Sequence, residues 1–184
     1  RELARTPHIL PHHNFYDLLL IKMHIELGYL AEQNLIEASI IDEKAVSIAK
    51  YCYDSARQCV EEARPTIETL YKEYPLVLVS NFYGNVESVL ADFNMRHYFN
   101  EVVESAVVGV RKPDPRIFIL GVEALNLSPE NVLVIGDSYK KDIVPAETIG
   151  CNVAWIKGKG WTEDEDAVTH PRIITKLSEV LKMV

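Results

Sequence analysis

The sequence predicts an α/β fold in which a three-layer core, one parallel sheet covered by helices on both faces, follows an α-helical domain. Two observations support this prediction. The first third of the chain has apolar residues at helical spacing and no strand signal, whereas the rest alternates short apolar runs with helical patterns. Strands that are apolar on both faces and alternate with helices are typical of parallel sheets. We therefore expect a helical domain over residues 1–64 and the sheet-containing core over residues 65–184.

Two helices are predicted within the first 64 residues. The first presents an apolar stripe that runs from Phe15 to Leu30. The second is expected to begin with Asp42 as its cap and to run through Ala63, with one face of mostly small apolar residues. Arg64–Pro65 then predicts a boundary, because proline suits the first turn of a new helix.

The elements of the core alternate from residue 66 onwards. We predict strands at 76–80, 102–104, 132–136 and 152–156. We predict helices at 66–73, 85–95, 114–125, 143–149 and 176–183, the third of them capped by Asp114. In sheets of this kind ligands bind beyond the carboxyl ends of the strands. Polar residues that directly follow a strand are therefore the candidates for a functional site.

Two carboxylates follow the most apolar strand. Asp137 comes directly after the run VLVIG, and Asp142 begins the next helix. A helix cap accounts well for Asp142 and less well for Asp137. Carboxylates held close together repel each other, and Mg²⁺ would relieve this repulsion, since it takes oxygen ligands that include one or two carboxylates and a substrate phosphate. The pattern favours a magnesium site formed by Asp137 and Asp142.

A hydroxyl and an ammonium group complete the pattern. Ser80, with Asn81 beside it, ends the strand 76–80, and Lys112 precedes a proline and a helix. Each residue alone is better explained as a turn serine or a surface lysine. Together with the two acids they suit a phosphoryl group, whose oxygens the hydroxyl and N–H groups hold and whose charge the lysine and metal neutralise. We predict that Ser80, Asn81 and Lys112 bind the substrate.

Charge and cysteine content narrow the class of protein. The formal net charge of −8 argues against nucleic acid or an anionic membrane surface as the partner. No apolar run approaches the roughly 20 residues that span a bilayer. Cys52 and Cys59 lie about 10.5 Å apart on one predicted helix, beyond disulfide reach, and Cys151 is isolated. We expect a cytoplasmic protein.

The motifs resemble those of the haloacid dehalogenase-like hydrolase superfamily. Ser80–Asn81, Lys112–Pro113 and the run from Gly136 to Asp142 are similar to its second, third and fourth motifs. The resemblance covers residues 66–184, and the helical first third resembles the cap that some members insert before the second motif. It implies a Rossmann-like core with a helical cap, in the branch that holds phosphatases of small phosphorylated metabolites.

The resemblance also implies a mechanism. An aspartate nucleophile would attack phosphorus to form a phosphoaspartate, from which water would release phosphate. Carried onto this chain, Ser80 would bind a phosphoryl oxygen and Lys112 would stabilise the charge around the nucleophile and phosphate. Asp137 would bind Mg²⁺ directly. Asp142 would bind it directly or through water, and would also orient Lys112.

The first motif of the family, an apolar strand that ends in Asp-x-Asp, is missing from this sequence. The pair Asp164 and Asp166 instead lies in the acidic stretch TEDEDAV. The family's nucleophile strand would lie between 76–80 and 132–136, so its absence predicts a gap of ~9.6 Å with backbone lacking partners on both sides. Because the chain begins at Arg1 inside the expected approach to the cap, we expect the nucleophile on an N-terminal segment outside this sequence. The 184 residues alone are expected to be inactive.

Two alternatives stay open. The first is another enzyme on the same scaffold, a phosphomutase or a haloacid dehalogenase. The retained Gly-Asp-x-x-x-x-Asp pattern favours phosphate over haloacid. The second is a non-catalytic phosphate-binding remnant that keeps Ser80, Lys112 and Asp137 as a pocket. The cap offers no recognisable pattern of substrate-binding residues, and Trp161 is a candidate for lining the pocket.

Overall fold

The computed structural model describes residues 8–159 and 166–184, so that Trp161 and Asp164 lie outside the described residues. The chain divides into two compact units. One extends to Arg64 and includes Tyr83–His97, and the other comprises Pro65–Phe82 and Tyr98–Val184. Tyr83–His97 therefore groups with the helices, whereas the predicted domains 1–64 and 65–184 place it in the core. The domain assignment itself stays a prediction.

Three helices make up most of the first unit: α1 (Phe15–Glu32), the larger part of α2 (Ile41–Glu73) and α3 (Val86–Asp92). A capping box begins α1. The Asn14 side chain accepts a hydrogen bond from the Asp17 N–H at 2.9 Å, and the Asp17 carboxylate accepts one from the Asn14 N–H at 3.0 Å. These reciprocal bonds satisfy two backbone donors that the helix itself cannot pair.

Helix α2 continues through Pro65, so the predicted break between two helices at Arg64–Pro65 is wrong. The two compact units nevertheless divide at this point of the chain. An interior proline removes one helical hydrogen bond and normally kinks or ends a helix. Here tertiary contacts hold the preceding residue in place. The Arg64 guanidinium donates to the backbone carbonyls of Phe93 and Asn94 at 2.8 and 2.9 Å, and it pairs with Glu61 at 2.7 Å. These long-range bonds outweigh the local preference of the proline.

The predicted cap at Asp42 is also wrong. A 3₁₀ turn, Ala38–Ile40, leads directly into α2 at Ile41, so that Asp42 lies in the first helical turn. Its carboxylate still suits the positive end of the helix dipole. It also lies 3.2 Å from Nε2 of His24 on α1.

All four predicted strands are present in the second unit, together with a fifth. They are β1 (Val77–Ser80), β2 (Glu101–Glu104), β3 (Leu133–Gly136), β4 (Asn152–Ile156) and β5 (Ile173–Ile174). Every pair is parallel, with β1 beside β2, and β4 between β3 and β5. The two-residue strand β5 is too short to produce a sequence pattern.

Helices α4 (Ser105–Val108), α5 (Arg116–Leu125) and α6 (Val144–Thr148) cover these strands. Their apolar residues join a core that includes the fully buried side chains of Ile117 and Ile143. The predicted closing helix 176–183 is wrong in type, because Leu177–Lys182 forms a 3₁₀ helix. Glu179 accepts three hydrogen bonds from Thr175 and Lys176, which favour a tight turn there. No helix in the described part of the chain has both the length and the apolar character of a membrane span.

A groove separates β1 from β3. The described strands form two sheets that do not pair with each other, β1–β2 and β3–β4–β5. The groove has a volume of about 480 Å³, and its walls include Val77, Val79, Leu133 and Ile135. This arrangement matches the gap expected where the family's first strand is missing. The fold is thus the predicted α/β fold, with the central strand position open.

Candidate active site

The loops that follow the strands converge on one pocket of about 640 Å³. Ser80 ends β1, Lys112 lies between α4 and α5, and Asp137 follows β3. The structure brings together all five residues predicted from the sequence, since Asn81 and Asp142 line the same pocket. Their chemical roles remain predictions.

A largely buried ion pair lines the pocket. Nζ of Lys112 lies 2.7 Å from Oδ1 of Asp142, and only 17% and 5% of the two side chains are exposed. Nζ is also 3.4 Å from the backbone oxygen of Val79 at the end of β1. Because a buried charge that loses its partner costs several kcal/mol, each member of this pair holds the other in place.

Asn81 fixes the backbone of the lysine loop. Its Oδ1 accepts a hydrogen bond from the Lys112 N–H at 2.8 Å, and its Nδ2 donates to the Lys112 carbonyl at 3.0 Å. The following Lys112–Pro113 peptide is cis. Asn81 therefore positions Lys112, a role that no sequence pattern indicated. The predicted substrate contact of Asn81 stays a prediction.

A widened turn presents Asp142. Residues Tyr139–Ile143 form a π-helical turn, and the Asp142 Oδ2 accepts a hydrogen bond from the Ser138 N–H at 3.0 Å. Such turns are frequent at functional sites. Gly136 makes room for this carboxylate, because a Cβ at that position would lie only 2.3 Å from the Asp142 Cβ. The glycine of the motif is thus required by close packing.

We expect Gly136→Ala to lower the free energy of unfolding by about 1–3 kcal/mol, as overpacking of a buried site does. The added methyl group would push Asp142 away from Lys112. Urea denaturation measures this effect. Gly158→Ala is the matched control, because among the described residues no atom outside the adjacent residues lies within 4 Å of a Cβ at that position. Equal unfolding midpoints for the two variants would contradict the packing role of Gly136.

The Ser80 hydroxyl and the Asp137 carboxylate are both available to bind a ligand in the pocket. Within residues 8–159 and 166–184, no hydrogen bond or ion pair engages the Ser80 hydroxyl or the Asp137 carboxylate. The Asp137 backbone oxygen, by contrast, accepts a hydrogen bond from the indole N–H of Trp155 at 3.0 Å. Trp155 is buried on β4 and lines the pocket. It holds the backbone from which Asp137 projects, another contact that the sequence alone did not reveal.

The donor set of the pocket suits Mg²⁺ in part. Asp137 and Asp142 supply carboxylate oxygens, which this ion prefers and commonly combines with waters and a phosphate. The described residues contain no cluster of three or more His, Cys, Asp or Glu side chains that could hold a metal ion. Asp137 is available as a direct ligand, whereas Asp142 is engaged by Lys112 and Ser138. Any further ligands would have to come from water, substrate or another segment.

Comparison with known proteins finds a matching family model and several relatives. Residues 9–150 match the family model described as haloacid dehalogenase-like hydrolase. The chain is 30% identical over 161 residues to the haloacid dehalogenase-like hydrolase domain-containing protein 3 of Bos taurus, covering 83% of this chain and 64% of that protein. It is 31% identical over 132 residues to the glyceraldehyde 3-phosphate phosphatase of Pyrococcus furiosus, covering 68% and 54%. The chain thus spans less than two thirds of the length of these relatives.

A solved structure shows the same fold. The HAD phosphatase from Thermococcus onnurineus superposes with a TM-score of 0.56 at 21% sequence identity, covering 92% of this chain and 87% of that chain.

Proposed function

Because the chain belongs to the haloacid dehalogenase-like hydrolase family, we propose that it forms the site of a Mg²⁺-dependent phosphatase acting on a small phosphorylated metabolite. The observation that carries this proposal is the convergence of Ser80, Lys112, Asp137 and Asp142 in one pocket. The relative named glyceraldehyde 3-phosphate phosphatase supports phosphate monoesters as the substrate class.

The residues of the chain divide the chemistry among them. The Ser80 hydroxyl donates a hydrogen bond to a phosphoryl oxygen, and the Lys112 ammonium stabilises the negative charge that develops during transfer. Asp142 orients Lys112 through the 2.7 Å contact. Asp137, with Asp142 directly or through water, would hold Mg²⁺, which when bound supplies further stabilisation of charge on the phosphoryl oxygens.

The nucleophile of this proposal is an aspartate on a strand that fills the groove between β1 and β3. A gap of two strand spacings, ~9.6 Å, accepts one strand, and the groove walls are largely apolar. At one end the groove opens onto Lys112, Asp137 and Asp142, which line both it and the pocket. A strand parallel to β1 and β3 would place the residue after its end beside these three groups. We propose that a segment outside the 184 residues supplies this strand.

The test compares the 184-residue chain with a strand-completed chain, in which an apolar strand segment ending in Asp-x-Asp precedes the same residues. We expect the strand-completed chain, but not the 184-residue chain, to release phosphate from phosphate monoesters. This activity should be lost when EDTA is added and should return when Mg²⁺ is restored. A segment with Asn in place of the first Asp is the matched control and should be inactive. Turnover by the control or by the 184 residues alone would contradict the proposal, and phosphate transfer in place of release would indicate a mutase.

Location and partners form part of the same proposal. Cys52, Cys59 and Cys151 are all unbridged, which suits a reducing cytoplasm. The concave pocket and the net charge of −8 suit a small-molecule substrate better than nucleic acid or a membrane surface.

A further inference from the structure

The pocket is much more basic than the chain that forms it. The chain carries 19 Lys and Arg residues against 27 Asp and Glu residues. The described residues that line the pocket nevertheless include only two acids, Asp137 and Asp142, and six basic residues: Arg111, Lys112, Lys140, Lys141, Lys157 and Lys159. The positive charges therefore exceed the negative ones by four, and a dianionic phosphoryl group balances only two of them.

Two of the three basic loops present their charges without partners among the described residues. Arg111 immediately precedes Lys112, and Lys140 with Lys141 lies in the π-helical turn Tyr139–Ile143. All three residues are exposed. No ion pair within residues 8–159 and 166–184 engages the Arg111, Lys140 or Lys141 side chain. Because like charges gathered at one cleft repel each other and attract anions, this arrangement favours an anionic ligand.

The third loop follows β4 and differs from the other two, because one of its lysines has partners. Nζ of Lys157 donates hydrogen bonds to the backbone oxygens of Asp166 and Val168 at 2.7 and 2.5 Å, and it lies 5.1 Å from the centre of the Trp155 ring. Lys157 is thus committed to these contacts, while Lys159 is exposed. The cations best placed to receive an additional group are therefore Arg111, Lys140 and Lys141.

We propose that the substrate carries a second anionic group, a carboxylate or another phosphate, on the part of the molecule that is not transferred. Arg111, Lys140 and Lys141 bind this group while Ser80 and Lys112 bind the phosphoryl group that is released. This inference rests on the proposed phosphatase function and specifies its substrate class. It assigns to the lysine pair of the π-helical turn a role in specificity, separate from the role of Asp142 in the same turn.

The test uses two esters that differ only in the second charge: 3-phosphoglycerate, and glycerol 3-phosphate, in which a hydroxymethyl group replaces the carboxylate. Binding is measured by calorimetry on the 184-residue chain and on the strand-completed chain, and kcat/KM on the strand-completed chain. We expect both chains to bind 3-phosphoglycerate about tenfold more tightly than glycerol 3-phosphate, a difference that one charge-assisted hydrogen bond provides. The kcat/KM of the strand-completed chain should favour 3-phosphoglycerate by a similar factor. The preference should fall as ionic strength rises, because salt screens exposed charges.

The double variant Lys140→Gln/Lys141→Gln should reduce this preference about tenfold. Lys44→Gln is the control, since Lys44 is an exposed residue of α2 outside the pocket, and it should leave the preference unchanged.

Equal binding of both esters, or a preference that persists in the double variant, would overturn the inference. If 3-phosphoglycerate binds preferentially but neither ester is hydrolysed, the inference stands and the proposed reaction fails. Hydrolysis of both esters without preference would instead support the proposed reaction and overturn the inference.

Discussion

Lys112→Met in the strand-completed chain is expected to lower kcat for phosphate release by about 100- to 1,000-fold, the loss typical when one group that stabilises transition-state charge is removed. The same change leaves the Asp142 carboxylate buried without its partner. We therefore expect the free energy of unfolding to fall by about 3 kcal/mol. Phosphate release and urea denaturation measure the two effects on the same variant.

A second substitution separates catalysis from folding. In Lys112→Met/Asp142→Asn no buried charge remains at this position, and the asparagine Oδ1 can still accept the Ser138 N–H. We expect much of the lost stability to return, with a coupling free energy of about 1 kcal/mol or more between the two sites. Activity should stay low, because neither ammonium nor carboxylate is present.

Lys44→Met provides the control for this pair, since Lys44 is exposed and outside the pocket. Two results would refute the role given to Lys112. One is a kcat for Lys112→Met within tenfold of the unmodified strand-completed chain. The other is strictly additive stability effects, which would show that the 2.7 Å contact between Lys112 and Asp142 contributes nothing specific.

The parts of the fold that the sequence predicted correctly are those that depend on local pattern alone. The runs LVLVS and VLVIG, which are apolar at consecutive positions as in strands of a parallel sheet, became β1 and β3, whose residues are all partly buried. Placing Ser80 and Asp137 at the ends of these strands was enough to predict their convergence. The open position between the strands followed from the missing first motif and appears as the groove.

Prediction from the sequence failed or was incomplete where distant contacts decide the outcome. Pro65 indicated a break between two helices, but the bonds from Arg64 to Phe93 and Asn94 keep the helix continuous. The role of Asn81 in positioning Lys112 was not predicted, because it depends on bonds from both ends of its amide group to the Lys112 backbone. Neither contact has a sequence signature, since the partners lie about 30 residues apart along the chain. Side-chain roles in this pocket therefore required the three-dimensional structure.

A strand bound in the groove is expected to stabilise the core by on the order of 5 kcal/mol, from three apolar side chains buried at about 1.5–3 kcal/mol each. The new backbone hydrogen bonds, at about 1 kcal/mol each, are largely offset by the entropy of ordering the strand, at about 1–2 kcal/mol per residue. The gain should be seen as a higher urea midpoint of the strand-completed chain relative to the 184 residues alone.

Hydrogen exchange locates this stabilisation. Amides of β1 and β3 that face the groove should become protected in the strand-completed chain, whereas those of α1, in the other compact unit, should change little. A segment with proline at its centre is the matched control, because proline cannot donate to a neighbouring strand.

If the amides of β1 and β3 exchange equally fast with both segments, no strand occupies the groove. The proposed position of the nucleophile would then be wrong, even if the pocket still binds phosphate esters. Protection of β1 and β3 by the proline-free segment alone would instead show that a hydrogen-bonded strand occupies the groove, as the proposed position of the nucleophile requires.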